Sequence, residues 1–153
     1  MASGSSSTTI DTKQFELKMA AADVKIRTQV ALGLNKIGTL AASQLRATMP
    51  RDTSYMATHV EVVHATPETL VEVITSDANY TLAQDQGAKP HMPPSDALEA
   101  WGTRHGFPKG SGFIIARAIA KRGLPARNFI KPVADAGKAQ AIPILEAAVK
   151  DIW

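Results

Sequence analysis

Apolar residues recur at three- and four-residue steps along residues 20–48. Val30, Leu34, Ile37, Ala41 and Leu45 fall on one face, while Lys25, Arg27, Lys36 and Gln44 mostly fall elsewhere. This spacing predicts a long helix, closed by Pro50 because a residue before proline is pushed out of the helical region. Gly33 and Gly38 each weaken it by about 1 kcal/mol relative to alanine, and their small size implies close packing. Residues 58–64 alternate, with Val60 and Val62 on one side and His59, Glu61 and Val63 on the other. Residues 70–75 are rich in β-branched side chains, and the Ala65-Thr66-Pro67-Glu68 turn between the two predicts an antiparallel hairpin. One face of that hairpin is expected to pack on the long helix.

Residues 79–87 form a short segment around Tyr80, and Pro90, Pro93 and Pro94 force an extended loop over 89–94. Ser95 reads as the N-cap of a helix over 96–104, with Asp96 and Glu99 near the positive end of its dipole. A second short helix is predicted over 113–122, ended by Gly123. The last helix is predicted over 132–152, with a kink or break near 139–142 caused by Pro143. Residues 10–15 fit either a strand or a first helical turn. The Ser/Thr-rich stretch 1–9 lacks a basic start and an apolar run, so it reads as a flexible arm and not as a signal peptide. The expected fold class is α+β: a small antiparallel sheet packed by a long N-terminal helix and a C-terminal helix. Residues 10–153 form one domain with a loop–helix insertion at about 88–123.

Composition narrows the chemistry. The chain has 153 residues and no cysteine, which excludes disulfides and thiolate metal sites. Aromatics make up only 5%, so the core must rest on Ala, Val, Ile and Leu. A net charge of +3 is mildly basic, without the dense cluster of a dedicated DNA binder. No apolar run is long enough to span a membrane. No HExxH, GxSxG, GxGxxG or P-loop spacing occurs. His59 and His64 are five apart on a strand, hence on opposite faces, and cannot share a metal. His91 and His105 read as lone surface histidines, and Asp96 and Glu99 as helix-end carboxylates. No enzyme, cofactor or metal site is expected.

Three segments in a fixed order carry further information. They are Met49-Pro50-Arg51-Asp52-Thr53-Ser54-Tyr55-Met56 after the long helix, Asn79-Tyr80-Thr81-Leu82-Ala83-Gln84-Asp85-Gln86-Gly87 after the hairpin, and Pro125-Ala126-Arg127-Asn128-Phe129-Ile130-Lys131-Pro132-Val133 before the last helix. In this order the chain resembles the head–tail joining and minor-tail (tail-completion, morphogenesis) family of long-tailed bacteriophages. The resemblance covers about nine-tenths of the chain. The residues that carry it are Pro50, Asp52, Thr53, Tyr80, Gly87, Arg127, Phe129 and Pro132. The stretch from Pro94 to Gly123 is similar to a common insertion in that family. Ser54, Thr81 and Asn128 stand where glycine, alanine and proline are usual. At Ser54 a residue without glycine's freedom resists positive φ.

Physically, Asp52 and Thr53 are expected to bond local backbone after the helix stop. Tyr80 is expected to give its ring to the core and its hydroxyl to the rim, and Phe129 to plug the last helix onto the sheet. Trp101 is expected to anchor its own helix, and Trp153 ends the chain.

The resemblance implies a structural virion protein of the phage neck or tail top, assembled in the host cytoplasm. Its partners would be copies of itself in a ring, a hexamer, and neighbouring neck and tail proteins. Met92 and Trp101 are candidate interface anchors. Arg117, Lys121 and Arg122 form a basic cluster that could face an acidic partner or packaged DNA, by non-specific phosphate attraction. Two alternatives remain: a tail terminator ring and, from a different class, a basic DNA-binding module.

Overall fold

The computed structural model describes residues 12–152; the expected flexible arm over 1–9 and Trp153 lie outside the described residues. Helix α1 runs Lys13–Thr48, starting seven residues earlier than the periodicity predicts. Nothing between Lys13 and Met19 breaks a helix, and Ala20 to Ala22 are the best formers there are, so the helix extends beyond the part with a recognisable face. It stops as expected, with Met49 in an extended conformation (ψ 139°) before Pro50.

One short turn of helix, α2 (Tyr55–Thr58), takes the start of the expected first strand. Ser54 precedes it at φ 62°, so it adopts the left-handed conformation that its side chain was expected to resist. Strands β1 (Val60–Val63) and β2 (Val73–Ser76) pair antiparallel, Val60 opposite Ser76 and Val63 opposite Val73. The second strand begins three residues later than predicted, and the connection is longer than one β-turn. The Thr66 and Thr69 hydroxyls each accept the other residue's backbone N–H at 3.2 Å, and Leu70 sits at φ 48°. The predicted faces hold. Val60 is buried and Val62 and Ile74 are half-buried, while Glu61, Val63, Val73 and Thr75 face outward.

The segment after the hairpin, left without secondary structure in the prediction, is helix α3 (Thr81–Gln86). Helices α4 (Ser95–Arg104) and α5 (Ser111–Arg122) form a helical hairpin. Ser95 does not cap α4; Pro94 occupies the cap position at φ −58°, ψ 124°, and no side chain bonds there. Glu99 serves the next helix instead. Its carboxylate accepts the Gly110 and Gly112 N–H groups at 2.7 Å each, covering donors that a helix start leaves unpaired. Gly123 ends α5 at φ 74°, as predicted.

Helix α6 (Ile130–Val149), followed by a 3-10 turn over Lys150–Ile152, runs unbroken through Pro143. Of the expected kink or break near 139–142, the break does not occur. Pro143 and Ala139 are both exposed, so water can serve the carbonyl that the proline leaves unpaired. Pro132 lies within the first turn of α6, where its missing N–H costs nothing.

The helix α1 lies between the hairpin and α6. A Cβ on Gly33 would fall 2.9 Å from Leu145 Cδ2, and one on Gly38 would collide with the Glu72 carboxylate, so the two glycines admit α6 on one side and the hairpin on the other. The core is Ala42, Leu45, Met49, Met56, Val60, Ala78, Phe129 and Val133, so Phe129 is buried in the same cluster as Val60 and Val133. The expected α+β architecture is what the chain adopts. No helix of the described residues is long and apolar enough to cross a membrane.

Candidate functional site

A cleft of about 500 Å³ opens between the main body and the α4–α5 hairpin. The three motif segments reach it from distant parts of the chain. Pro50, Asp52 and Thr53 line it from the first segment, Tyr80 and Arg127 from the second and third, and Trp101 and Arg104 from α4.

Asp52 is the polar link across the cleft. It does not bond local backbone, as its position after the helix stop suggested. Arg104 Nε donates to its Oδ1 at 3.0 Å and Oδ2 at 3.2 Å, and a second guanidinium nitrogen closes the fork on Oδ2. This fork geometry suits a guanidinium and a carboxylate. Its hydrogen bonds hold the Asp52 carboxyl below the usual carboxylate range against the opposing effect of burial, and the charges of Arg104 and His105 act in the same sense. Among the described residues the Thr53 side chain makes no hydrogen bond; it only lines the cleft.

The aromatic residues lie around this pair. Tyr55 stacks on His59 at 3.7 Å and faces Tyr80 at 6.2 Å; Trp101 stacks on His105 at 4.1 Å and on Phe107 at 5.9 Å. Tyr80 departs from expectation. Its ring is 38% exposed, while Ala78 and Thr81 on either side take the buried places. Burial pushes the Tyr80 hydroxyl above its ordinary range, with Tyr55 and Asp52 adding to the effect. His59 and His105 each point Nδ1 at a carbonyl one turn back, Tyr55 O at 2.7 Å and Trp101 O at 2.9 Å. A ring nitrogen facing a carbonyl must carry the proton, so both rings are fixed by their own helices. The described residues hold no group of three His, Cys, Asp or Glu placed for a metal.

Below the cleft the second and third segments are stitched together. Ala88 and Leu124 exchange backbone hydrogen bonds at 3.1 and 2.8 Å, forming the neck from which the α4–α5 hairpin projects. Gly87, at φ 78°, is required there, since a Cβ would fall 2.5 Å from Leu124 O. Asp85 is buried; its carbonyl accepts the Arg127 and Asn128 N–H groups, and its Oδ1 accepts Ile130 N–H at 2.9 Å, capping α6. Asn128 sits at φ 50°, a conformation its short amide side chain tolerates.

The remaining candidates lie apart from the cleft. Met92 is 53% exposed in the proline-rich loop. Arg117, Lys121 and Arg122 are exposed on α5, and none makes an ion pair among the described residues. Sequence reasoning did not single out Asp85, Glu72 or Arg104. Asp85 sits inside the second motif, but nothing in a linear pattern says that its partner is Ile130. Comparison with protein-family models, with curated proteins and with solved structures finds no match.

Proposed function

We propose that the chain is a non-enzymatic, ring-forming structural subunit of a long-tailed bacteriophage, acting where the head joins the tail. The observation that carries this reading is the ordered set of segments around Asp52, Tyr80 and Arg127. They follow the long helix, the hairpin and the insertion in the order of the tail-completion pattern, and they meet in one cleft. Asp52 and Arg104 bind each other across the cleft, an arrangement suited to holding a scaffold and presenting a surface. Asn128 is a local departure, because its φ of 50° is barred to the proline usual at that place.

A ring is built by head-to-tail contact between two different patches on each subunit. Copies of this chain, six on the family pattern, would surround a lumen in the neck or at the tail top, and would contact neighbouring neck and tail proteins there. The proline-rich loop with Met92, and Trp101 in the cleft, are the proposed contacts to those neighbours. A tail terminator ring is the nearest alternative within the class. Arg117 and Lys121 on α5, exposed and in no ion pair among the described residues, favour a second element, loose phosphate attraction to DNA in the lumen, without base readout. Imaging native particles with this subunit tagged tests the reading. A ring of label at the head–tail junction is expected, and label elsewhere or absent from particles overturns it.

A further inference from the structure

Seven-residue steps keep to one face of a helix, drifting by about 20° each. Along α1 one such row is Leu17, Val24, Ala31, Gly38 and Leu45. Its later members are covered: Ala31 is 4% exposed, Gly38 lies under Glu72 of the hairpin, and Leu45 is 9% exposed in the core. Its first two members are 65% and 62% exposed. The apolar row that buries α1 in its own chain therefore continues outward with Leu17 and Val24 exposed. Lys18 and Lys25 run along one edge, neither in an ion pair among the described residues, and Glu16 and Asp23 along the other, where Asp23 pairs with Arg27 at 3.0 Å.

A second apolar surface lies on the outer face of the hairpin. Val63 and Val73 are directly opposed across the strands and are 59% and 39% exposed, with Val71 at 56% beside them. Glu61 shares that face and is also without an ion pair among the described residues. Both surfaces are apolar, and the lysine edge of the helix row complements the Glu61 edge of the sheet face. One chain cannot close them on each other. Its hairpin is fixed by its inner face at Gly38, and Leu17 lies about 31 Å further along the helix axis.

We infer that the projecting half of α1 in one copy docks on the outer face of the hairpin in the next copy, a head-to-tail contact. This rests on the ring reading above and names the surfaces that would build the ring. Antiparallel pairing of two α1 rows would bring lysine edges side by side, which like charge disfavours, while parallel pairing, which sets Lys18 and Lys25 against Glu16 and Asp23, is read out by the Val24→Cys variant alone. The contact spans only a few helical turns, below the roughly 1,200 Å² of a typical stable interface. Single pairs are therefore weak, and closure of the ring supplies the rest.

The chain has no cysteine, so a short bismaleimide reports proximity cleanly. A full chain carrying both Val24→Cys and Val63→Cys is expected to give a ladder of dimers, trimers and higher species ending at the ring size. Either single variant alone should give none, and a mixture of the two single variants should stop at dimers. Lys18→Glu with Lys25→Glu in the double-cysteine chain should raise the concentration for half-maximal cross-linking at least tenfold; an unchanged ladder counts against the contact. Dimers from Val24→Cys alone would show homotypic pairing and overturn the inference. Rings seen by negative-stain imaging without the 24–63 cross-link would overturn it and leave the ring reading standing. A chain that is monomeric and uncross-linked at every concentration would overturn both.

Discussion

The two halves of α1 are built alike and treated differently. From Ala31 to Thr48 the helix is packed on two sides, with α6 admitted by Gly33 and the hairpin by Gly38, and it buries Ala31, Ala42 and Leu45. From Lys13 to Gln29 the same helix carries Phe15, Leu17, Met19 and Val24, each more than half exposed. The difference is one of length. A 36-residue helix is about 54 Å long and the 20 residues of α6 cover about 30 Å, so α6 cannot run the full length of the first helix. An apolar pattern that outruns its own fold points to cover from another chain.

Substitutions separate the halves most sharply in the packed one. Phe129→Ala removes a ring from the centre of the core and is expected to cost about 3–5 kcal/mol. Gly38→Val drives a side chain into Glu72. That carboxylate accepts Ala65 N–H at 2.8 Å and meets His64 Nδ1 at 3.0 Å, so the hairpin would be dislodged, at about 2–4 kcal/mol. Chemical denaturation measures both. In the projecting half, Leu17→Ser with Val24→Ser should move stability by no more than about 0.5 kcal/mol each, while particle assembly collapses. A large loss of melting temperature in that double variant would mean that the row is covered within the chain, and the contrast would fail.

Much of this was legible in the sequence. The helix of α1, the inward valines of β1, the stop at Gly123 and the place of Phe129 all follow from spacing and local chemistry. The pairings did not, because they join residues far apart in sequence. Asp52 reads as a turn former and is held by Arg104; Glu99 reads as a charge for its own helix and caps the next; Asp85 reads as one letter of a motif and caps α6. Helix α3 escaped detection because six residues are too few to show a period. Tyr80 was placed by its type, and its neighbours Ala78 and Thr81 took the buried positions.

The α4–α5 hairpin gives smaller effects. It packs on itself and is held to the body by the neck at Ala88–Leu124 and by the Asp52–Arg104 fork. Asp52→Asn should leave the core intact and speed hydrogen exchange in α4 and α5; unchanged exchange there would show that the neck alone fixes the hairpin. The pH dependence has a definite sign. Asp52 and Glu99 both titrate below the ordinary carboxylate range when folded. Their contribution is therefore complete above the unfolded value of about 4 and is lost as pH falls through the lower folded values. Melting temperature should be level from neutral to about pH 5 and decline below about pH 4, and the Asp52→Asn curve should converge on the parent's in acid. Smallest in stability terms is Arg117→Glu with Lys121→Glu, expected to leave melting unchanged and lower infectious titre. Normal titre would remove any role for α5 in contacting DNA or an acidic neighbour.

The central claim, that this chain is a ring subunit whose projecting helix half is covered by the next copy, is tested most directly by electron cryo-microscopy of the native particle. The account predicts a ring of this subunit at the head–tail junction, with Leu17 and Val24 buried against the Val63–Val73 face of the neighbour. A ring in which residues 13–29 stand in solvent, or a particle without the subunit at that junction, would contradict it.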